Sequence, residues 1–381
     1  MIKVLVADDS AFMRRVITEL FEAQPDFQVL DTARTGKEAV EKAVRLKPDL
    51  LTLDVNMPVM DGLAALEVIM KDFPLPVVMI SSLTREGSDT TIRALGLGAV
   101  DFICKPDGAI SKLDTVAEEV LEKCRVAAAV KIIKRPKGGL AVFPPPLKKT
   151  PGMVKVPPLP KQKFTATRKM TPLTRSNVRQ VVREAAMAGR PASGRLIVLG
   201  CSTGGPQALQ EFVPRLPADL PCPVLIVQHM PAGFTASLAR RLNEISSIGV
   251  KEAEDHEPLK AGMVYVAPGG YHMTVAEGPG GREISLNLEP PLGTLRPAAD
   301  MLFDSVAKYG NQVVSIILTG MGQDGTNGME KIKKAGGYVI AESEETCVVY
   351  GMPKAVVDRG LADEVLPVQN IAEAAVKALG R

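Results

Sequence analysis

The stretch Ile2-Lys-Val-Leu-Val-Ala-Asp-Asp9 is a short apolar run, rich in β-branched residues, that ends in two acidic residues. Such a run predicts a buried strand, and the helical spacing of apolar residues over 11–23 predicts a helix directly after it. A strand followed by a helix is the repeating unit of a parallel sheet. The stretch therefore predicts an α/β fold for the first part of the chain.

The same alternation recurs along the chain on both sides of a polar middle segment. Before that segment, further strand-like runs stand at 27–31, 50–53, 77–80 and 100–103. Five such units predict a parallel sheet with helices on both faces. After it, strand-like runs stand at 196–199, 224–227, 263–266, 313–318 and 338–341. They predict a second, doubly wound and mainly parallel α/β domain, with a hairpin inserted around Gly278-Pro-Gly-Gly281.

The middle segment is strongly basic. Residues 125–195 contain 17 Lys or Arg, one acidic residue and ten prolines, which leaves the rest of the chain acidic although the whole carries a net charge of only +3. A segment of this composition buries too little apolar surface to offset the entropy of ordering. We predict domains at 1–125 and 194–381 joined by a Pro-rich linker at 126–193. Within it we expect a semi-extended stretch over about 130–175 and a short helix at 176–188.

Composition narrows the class of protein. The 381 residues are 46% hydrophobic and 23% charged, as in ordinary soluble domains. No apolar run approaches the roughly 18 residues that span a bilayer. The N-terminus lacks the long apolar region and cleavage site of a signal peptide, so we do not expect one. The five cysteines show no metal-binding or paired spacing. We expect a cytoplasmic protein with free, buried thiols and no membrane insertion.

Charged and hydroxyl residues follow the predicted strands of the first domain. Ligands of open α/β sheets bind beyond the carboxyl ends of the strands. The residues there are Asp8 and Asp9, Asp54, Ser81 and Ser82, and Lys105. Carboxylates suit Mg²⁺, and one of them could accept a phosphoryl group whose charge the metal and the lysine offset. Any one carboxylate could instead be a helix or loop cap, but the whole set favours a site.

With these residues in place, the first 125 or so residues resemble the receiver domain of two-component response regulators. The most specific segment is Asp54-Val-Asn-Met-Pro-Val-Met-Asp-Gly62. The resemblance implies a flavodoxin-like fold, phosphorylation of Asp54, and Mg²⁺ held by Asp8, Asp9 and Asp54. It also implies phosphate contacts from Ser81 and Lys105 and a switch aromatic at Phe102. Ser82 is the neighbouring alternative to Ser81.

The second domain begins with Gly200-Cys-Ser-Thr-Gly-Gly-Pro206, which places Ser202 at a predicted strand-to-helix turn. Free backbone N–H groups at such a turn could stabilise an oxyanion, and equally could bind a phosphate or nucleotide. His229 and Asp324 follow two other predicted strands of the same sheet. Serine, histidine and aspartate are the residues of an activated nucleophile, its general base and an orienting carboxylate. The remaining histidines, His256 and His272, are expected on the solvated surface.

The chain order Ser, His, Asp differs from that of ordinary α/β-hydrolases. Residues 194–380 instead resemble the catalytic domain of chemotaxis protein-glutamate methylesterases. The stretches that carry the resemblance are 200–206, Gln228-His-Met-Pro231, 265–272 and 318–325. Receiver, linker and esterase are also the order of domains in that family. The linker departs from the family by its length and basic charge.

The resemblance implies a phosphorylation-activated enzyme that hydrolyses glutamate γ-methyl esters on chemoreceptors and deamidates receptor glutamines. Ser202 would attack the ester, His229 would take its proton, and Asp324 would orient the imidazole. Backbone N–H groups of Met321 and Thr203 would hold the oxyanion, and we expect Cys201 to serve packing only. A histidine kinase would supply the phosphoryl group, the unphosphorylated receiver would cover the cleft, and the esterase step would need no cofactor.

Two rival interpretations belong to other functional classes. A DNA-binding regulator would use the basic linker as its electrostatic surface, but it would need an all-helical second half. We therefore expect no nucleic-acid partner. A catalytically silent docking protein built on a receiver is the other rival, and an assay of methanol release separates it from the esterase.

Overall fold

The computed structural model of the chain describes residues 1–82, 84–105, 113–130 and 194–380. The predicted linker, apart from residues 126–130, lies outside the described residues. The predicted helix at 176–188 lies outside them as well.

The first sheet has five strands in the order β2-β1-β3-β4-β5, and every neighbouring pair is parallel. Strands and helices alternate along the chain, which confirms the flavodoxin-like fold. The elements are β1 Ile2–Ala7, α1 Ala11–Glu22, β2 Phe27–Ala33, α2 Gly36–Leu46, β3 Leu50–Asp54, α3 Gly62–Asp72, β4 Val77–Ser81, α4 Arg85–Leu97, β5 Asp101–Cys104 and α5 Leu113–Ala129. Helix α5 continues four residues past the predicted domain end at residue 125.

Short polar side chains begin the first four of these helices. The N-cap residues Ser10, Thr35, Asp61 and Thr84 each accept a hydrogen bond from the backbone N–H three residues later. Such caps satisfy one of the free N–H groups of a helix start and contribute about 1 kcal/mol each. The strand-to-helix loops are therefore encoded locally.

The second sheet has seven strands in the order β14-β13-β12-β6-β7-β9-β8, again with every neighbouring pair parallel. A separate antiparallel hairpin, β10 with β11, is the insertion expected around Gly278–Gly281. The elements are β6 Leu196–Cys201, α6 Gly205–Phe212, β7 Val224–Gln228, α7 Phe234–Ile245, β8 Gly249–Glu252, β9 Met263–Val266, β10 His272–Gly278, β11 Gly281–Asn287, α8 Ala299–Ala307, β12 Val313–Ile317, α9 Thr326–Lys334, β13 Tyr338–Glu342, α10 Met352–Asp358, β14 Glu364–Leu366 and α11 Val368–Ala378.

Buried apolar side chains join the two sheets. Helix α4 packs against α6 and α7, and one core cluster contains residues of both halves, among them Leu95, Phe102, Leu209 and Phe234. The two sheets therefore share a core across this contact. None of the described helices is both long and apolar enough to span a bilayer.

The loop between β3 and α3 contains a strained residue. Val59 has a φ of 71°, and 86% of its surface is exposed. Left-handed backbone brings Cβ too close to the following carbonyl oxygen, at a cost of about 1–2 kcal/mol, and β-branched residues rarely adopt it. The loop then folds back so closely that a Cβ on Gly62 would lie 2.0 Å from the carbonyl oxygen of Asp54. The strain accompanies a tight turn over Asp54.

We expect Val59→Asn to stabilise the protein, because asparagine tolerates left-handed backbone and the exposed Val59 side chain loses little packing. A gain of about 1 kcal/mol should raise the midpoint of thermal unfolding by roughly 3 °C. The matched control is Val44→Asn, which replaces an exposed valine on ordinary helical backbone in α2 and should give no gain. Equal shifts in the two variants would contradict the strain at Val59.

Candidate active site and acidic pocket

Three carboxylates meet at the carboxyl edge of the first sheet. Asp8 and Asp9 follow β1, and Asp54 is the last residue of β3. One carboxylate oxygen of each lies within 4.8 Å of the others. Asp8 and Asp54 are buried, whereas Asp9 is exposed. A set of oxygen donors open to solvent on one side fits a hard divalent cation that keeps some of its water, so these residues could hold Mg²⁺.

Lys105 closes this pocket. Its Nζ lies 2.9 Å from Asp8 Oδ2 and 2.8 Å from Asp54 Oδ2. Burial acts to lower the pKa of Lys105, but its contacts with Asp54 and Asp8 outweigh burial and raise that pKa. Burial raises the pKa of Asp54, with a further contribution from Asp8, although Lys105 opposes the shift. The pocket therefore holds concentrated negative charge that one ammonium group offsets only in part.

The other residues predicted for this pocket lie on β4 and β5. Ser81 is fully buried at the end of β4, and its Oγ lies 3.3 Å from the carbonyl oxygen of Gly87. Ser82 is half-buried and pairs with Thr84 through their hydroxyl groups. Phe102 lies in β5, and its ring stacks on Phe234 of the second sheet's helix α7, with ring centroids 4.5 Å apart. The predicted switch aromatic is therefore covered by the other half of the protein.

In the second sheet, Ser202 directly follows β6 in a tight turn. Its N–H donates to the carbonyl oxygen of Thr319, and its own carbonyl accepts from the N–H of Gly205 and from Gln228 Nε2. Gly204 has a φ of 79°, which favours glycine, and it begins α6 without a side-chain cap. The hydrogen bonds fix the backbone of Ser202 between two neighbouring strands.

His229 and Asp324 are paired. His229 Nε2 lies 2.8 Å from Asp324 Oδ2, and each side chain is 8% exposed. The N-terminus of α8 holds the carboxylate from the other side, because the N–H groups of Ala299 and Asp300 donate to its two oxygens at 2.5 and 3.0 Å. Burial acts to raise the pKa of Asp324, but the hydrogen bond and charge interaction with His229 and these backbone donors lower it. The carboxylate is therefore kept ionised beside the imidazole.

Strand order places Ser202, His229 and Asp324 at one edge of the sheet, where a hydrogen bond joins the side chains of His229 and Asp324. β6 pairs in parallel with β7 on one side and with β12 on the other, and Ser202, His229 and Asp324 follow β6, β7 and β12 in turn. The chain runs outward from β6 in both directions, which makes this edge a topological switch point. Ligands of open α/β sheets bind in the crevice at such a point.

The residues predicted for an oxyanion hole, Thr203 and Met321, lie on either side of Ser202. Met321 follows Gly320, which lies so close to Ser202 that a Cβ added to Gly320 would be 2.9 Å from Ser202 Cβ. Among the residues that the structure describes, neither the N–H of Thr203 nor that of Met321 donates to a protein acceptor. Neither N–H group is therefore used by a protein partner there.

One of the two surface predictions for histidine is wrong. His256 is exposed, as expected, and it also pairs with Glu283. His272 is fully buried, and its Nε2 lies 3.2 Å from the carbonyl oxygen of Pro290. The hairpin that begins at His272 packs on α8 and is covered by the segment containing Pro290, so its first residue points into the protein.

Thr319 and Glu342 support the serine turn and were not singled out from the sequence. Thr319 Oγ1 donates to the carbonyl oxygen of Thr203, and its N–H donates to Glu342 Oε2 at 2.8 Å. Glu342 is fully buried, and burial raises its pKa. In the sequence, the signal for Glu342 was its position as an acidic residue at the end of an apolar strand. Cys201 is fully buried, and burial raises its pKa well above the ordinary value, which disfavours a reactive thiolate.

The cysteines are free, as the sequence predicts, but only three of the five are buried. Cys124, Cys201 and Cys222 are buried, whereas Cys104 and Cys347 are half-buried. Cys104 is the last residue of β5, and Cys347 lies in the segment after β13.

Comparison with known proteins matches both halves of the chain. A family model described as response regulator receiver domain matches residues 4–117, and one described as CheB methylesterase matches residues 197–375. The matched segments contain all the residues of the two sites described above.

Three relatives match nearly end to end, and each is named protein-glutamate methylesterase/protein-glutamine glutaminase. The relative from Symbiobacterium thermophilum is 48% identical over 100% of this chain and 97% of its own. That from Archaeoglobus fulgidus is 46% identical over 99% and 98%, and that from Thermotoga maritima 44% identical over 98% and 97%. With a receiver sheet, an acidic pocket and a Ser–His–Asp edge in one chain, this protein belongs to the family of receiver-linked protein-glutamate methylesterases/protein-glutamine glutaminases.

Proposed function

We propose that the chain is a phosphorylation-activated hydrolase of glutamate γ-methyl esters on the helical cytoplasmic part of chemoreceptors. The observation that carries the proposal is the His229–Asp324 pair at the same sheet edge as Ser202. These residue types in one crevice suit acyl transfer through an activated serine. Such a substrate implies a cytoplasmic enzyme.

The ring orientation supports one route for the proton transfer. His229 Nε2 faces Asp324, which leaves Nδ1 as the ring nitrogen that can accept the proton of Ser202. Asp324 then stabilises the charged imidazolium, and α8 in turn holds Asp324 through two backbone N–H groups. The serine oxygen attacks the ester carbonyl carbon as its proton passes to Nδ1.

The remaining steps follow from the same groups. The N–H groups of Thr203 and Met321 donate to the oxyanion, each contributing on the order of 10²–10³ in rate. The imidazolium returns its proton to the leaving methoxide, methanol departs, and water hydrolyses the acyl-serine to restore glutamate and free enzyme. A glutamine side chain passes through the same acyl-enzyme with ammonia as leaving group, which accounts for a glutaminase activity.

The receiver supplies the control. A histidine kinase is the proposed phosphodonor and Asp54 the acceptor. Bound Mg²⁺ would offset the charge of the phosphoryl oxygens, with Asp8, Asp9 and Asp54 as its ligands. Lys105, now shared by Asp8 and Asp54, lies where it can contact a phosphoryl group on Asp54. Without phosphate, the receiver covers the cleft and keeps the esterase slow.

The rival functions have less support. The second half is a parallel α/β sheet, whereas a helix-turn-helix output requires helices alone. A silent docking protein has no need for a buried imidazole–carboxylate pair, which costs desolvation energy.

Ser202→Ala should abolish methanol release from methylated receptor membranes, because it removes only the attacking oxygen. His229→Ala should be nearly as slow, since the residues of a triad act as a unit. The matched controls are Ser285→Ala in the hairpin and His256→Ala on the surface, which should keep the wild-type rate. Full methanol release by the Ser202 variant would eliminate the acyl-enzyme scheme.

Asp324→Asn should lower stability at neutral pH, because it removes a buried carboxylate that accepts charge-assisted hydrogen bonds. The expected loss is about 2 kcal/mol. Since the pKa of Asp324 is below its ordinary value of 3.8, the stabilisation is fully present above that value and is lost as the pH falls through the lowered pKa. Thermal midpoints of both proteins at pH 7 and near pH 3 measure this difference. A gap that stays constant or widens in acid would exclude this assignment.

Asp54→Ala should keep the basal esterase rate but lose its response to a small phosphodonor with Mg²⁺. Asp9 belongs to the same cluster, but among the described carboxylates only Asp8 and Asp54 form ion pairs with Lys105. Asp72→Ala, an exposed carboxylate at the end of α3, serves as the control and should respond normally. Intact mass measures the phosphoryl group, and a phosphorylated Asp54→Ala protein would place the acceptor elsewhere.

A further inference from the structure

A single hydrogen bond connects the receiver sheet to the residue after the proposed nucleophile. Thr203 Oγ1 donates to Asp101 Oδ2 at 2.7 Å. Asp101 is the first residue of β5 and is 8% exposed, and Thr203 is 6% exposed. Because both groups are shielded from water, this contact is a charge-assisted bond in a medium of low dielectric constant, where such bonds are strongest.

The receiver holds Asp101 in place from its own side. Asp101 Oδ1 accepts the N–H of Phe102 at 2.7 Å, and Lys123 Nζ of α5 lies 3.8 Å away. Lys123 also donates to the carbonyl oxygen of Phe102 at 2.9 Å. The position of Oδ2 is therefore set by β5 and α5.

The other end of the bond lies in the proposed catalytic turn. Thr203 follows Ser202, and its carbonyl oxygen accepts from Thr319 Oγ1 at 2.9 Å. Thr203 is thus held by Thr319 through its backbone and by the receiver through its side chain. The N–H that is proposed to donate to the oxyanion therefore belongs to a residue held by both contacts.

A second contact reaches the same turn from the receiver. Val348 packs against the receiver core cluster that contains Ile103 and Ile80. On its other side Val348 fills the space beside Gly204, where a glycine Cβ would lie 2.4 Å from Val348 Cβ. The turn is therefore contacted by the receiver at Thr203 directly and at Gly204 through one side chain.

The strand that makes these contacts leads to the acidic pocket. β5 ends at Cys104, and the next residue, Lys105, is the partner of Asp54. A phosphoryl group on Asp54 would give Lys105 a new anionic partner at this end of β5. Asp101 lies at the start of that four-residue strand.

We propose that Asp101 is a positioning residue of the esterase, which holds Thr203 in a geometry unfavourable for catalysis until the receiver is phosphorylated. The receiver then controls the catalytic turn itself as well as access to the cleft. The negative charge of Asp101, which accepts a hydrogen bond from the residue next to the nucleophile, also opposes the negative charge that develops on the substrate oxygen. This inference rests on the proposed function.

Control of the turn differs from cover of the cleft in its kinetic effect. A receiver that covers the cleft hinders substrate binding, and this effect is greatest for a large substrate. A misplaced oxyanion donor slows the chemical step for any ester that enters, so it lowers kcat with little change in KM. A short peptide with one glutamate γ-methyl ester separates the two effects.

The experiment measures kcat and KM for this peptide in the full chain, with and without acetyl phosphate and Mg²⁺. The variants are Asp101→Ala, Thr203→Val, Thr203→Ser and the double variant Asp101→Ala/Thr203→Val. Thr203→Ser keeps the hydroxyl group that Thr203→Val removes. The matched control is Asp89→Ala, which breaks the exposed ion pair between α4 and Arg240 of α7, 2.7 Å apart and far less buried.

We expect Asp101→Ala to raise the unphosphorylated kcat about tenfold, as for a buried charge-assisted bond, with KM nearly constant. The ratio of phosphorylated to unphosphorylated kcat should fall about tenfold in Asp101→Ala and Thr203→Val. It should fall no further in the double variant, because both changes break the same bond. Thr203→Ser should keep the wild-type ratio, and Asp89→Ala should change it less than about threefold.

Three results would overturn the proposal: Asp101→Ala behaving like Asp89→Ala, a Thr203→Val protein with the wild-type ratio, or effects that multiply in the double variant. Hydrogen exchange of residues 199–206 supplies a readout independent of activity, and it should speed up in Asp101→Ala but not in Asp89→Ala. A wild-type protein that hydrolyses no ester would defeat the proposed function alone. An active, phosphodonor-responsive wild type with an indifferent Asp101→Ala variant would defeat only the role of Asp101.

Discussion

The parallel pairing of β6 with both β7 and β12 is the constraint on which the catalytic half depends. Parallel strands end at the same edge of a sheet, so the residues after these three strands meet although they stand far apart in the chain. The turn at Ser202 is then tied to the loop after β12 by the bond from its N–H to Thr319. Without that pairing, the serine and the imidazole–carboxylate pair would have no common crevice.

The helix that follows the hairpin completes the arrangement. Asp324 takes the place of a side-chain cap for α8, since Ala298 offers none, and the free N–H groups of that helix keep the carboxylate ionised. One contact thus serves two needs: it satisfies a helix start and it orients His229. Lys105 has a similar double role in the receiver, where it offsets the charge of two buried carboxylates, Asp8 and Asp54.

The contact between the two halves combines apolar packing with polar contacts, namely the exposed Asp89–Arg240 ion pair and the buried Asp101–Thr203 hydrogen bond. Phe102 and Phe234 stack where α4, α6 and α7 pack together, which gives the contact its stability. The buried bond between Asp101 and Thr203 adds direction, because hydrogen bonds demand a particular geometry whereas apolar burial does not. In the proposed regulation, this bond is the directional contact between the receiver and the turn at Ser202.

Local patterns in the sequence were enough to predict the two parallel sheets, the hairpin and the strand ends at Asp8, Asp54, Ser202 and His229. These features depend on apolar periodicity, on turn residues and on the rule that parallel strands share an edge, all of which act over short stretches of chain. The short edge strands β8 and β14 escaped prediction because their sequences are mixed and only pairing with a neighbour makes them strands.

Only the tertiary structure decided which partner each polar group contacts. It buried His272 under Pro290, set Glu342 behind the serine turn, turned Nε2 of His229 toward Asp324, and brought Asp101 to Thr203 across about a hundred residues of chain. The partner of a side chain depends on the packing of whole elements against each other. The sequence therefore determined the elements and the edges where chemistry gathers, and the packing of those elements determined the contacts through which that chemistry can be controlled.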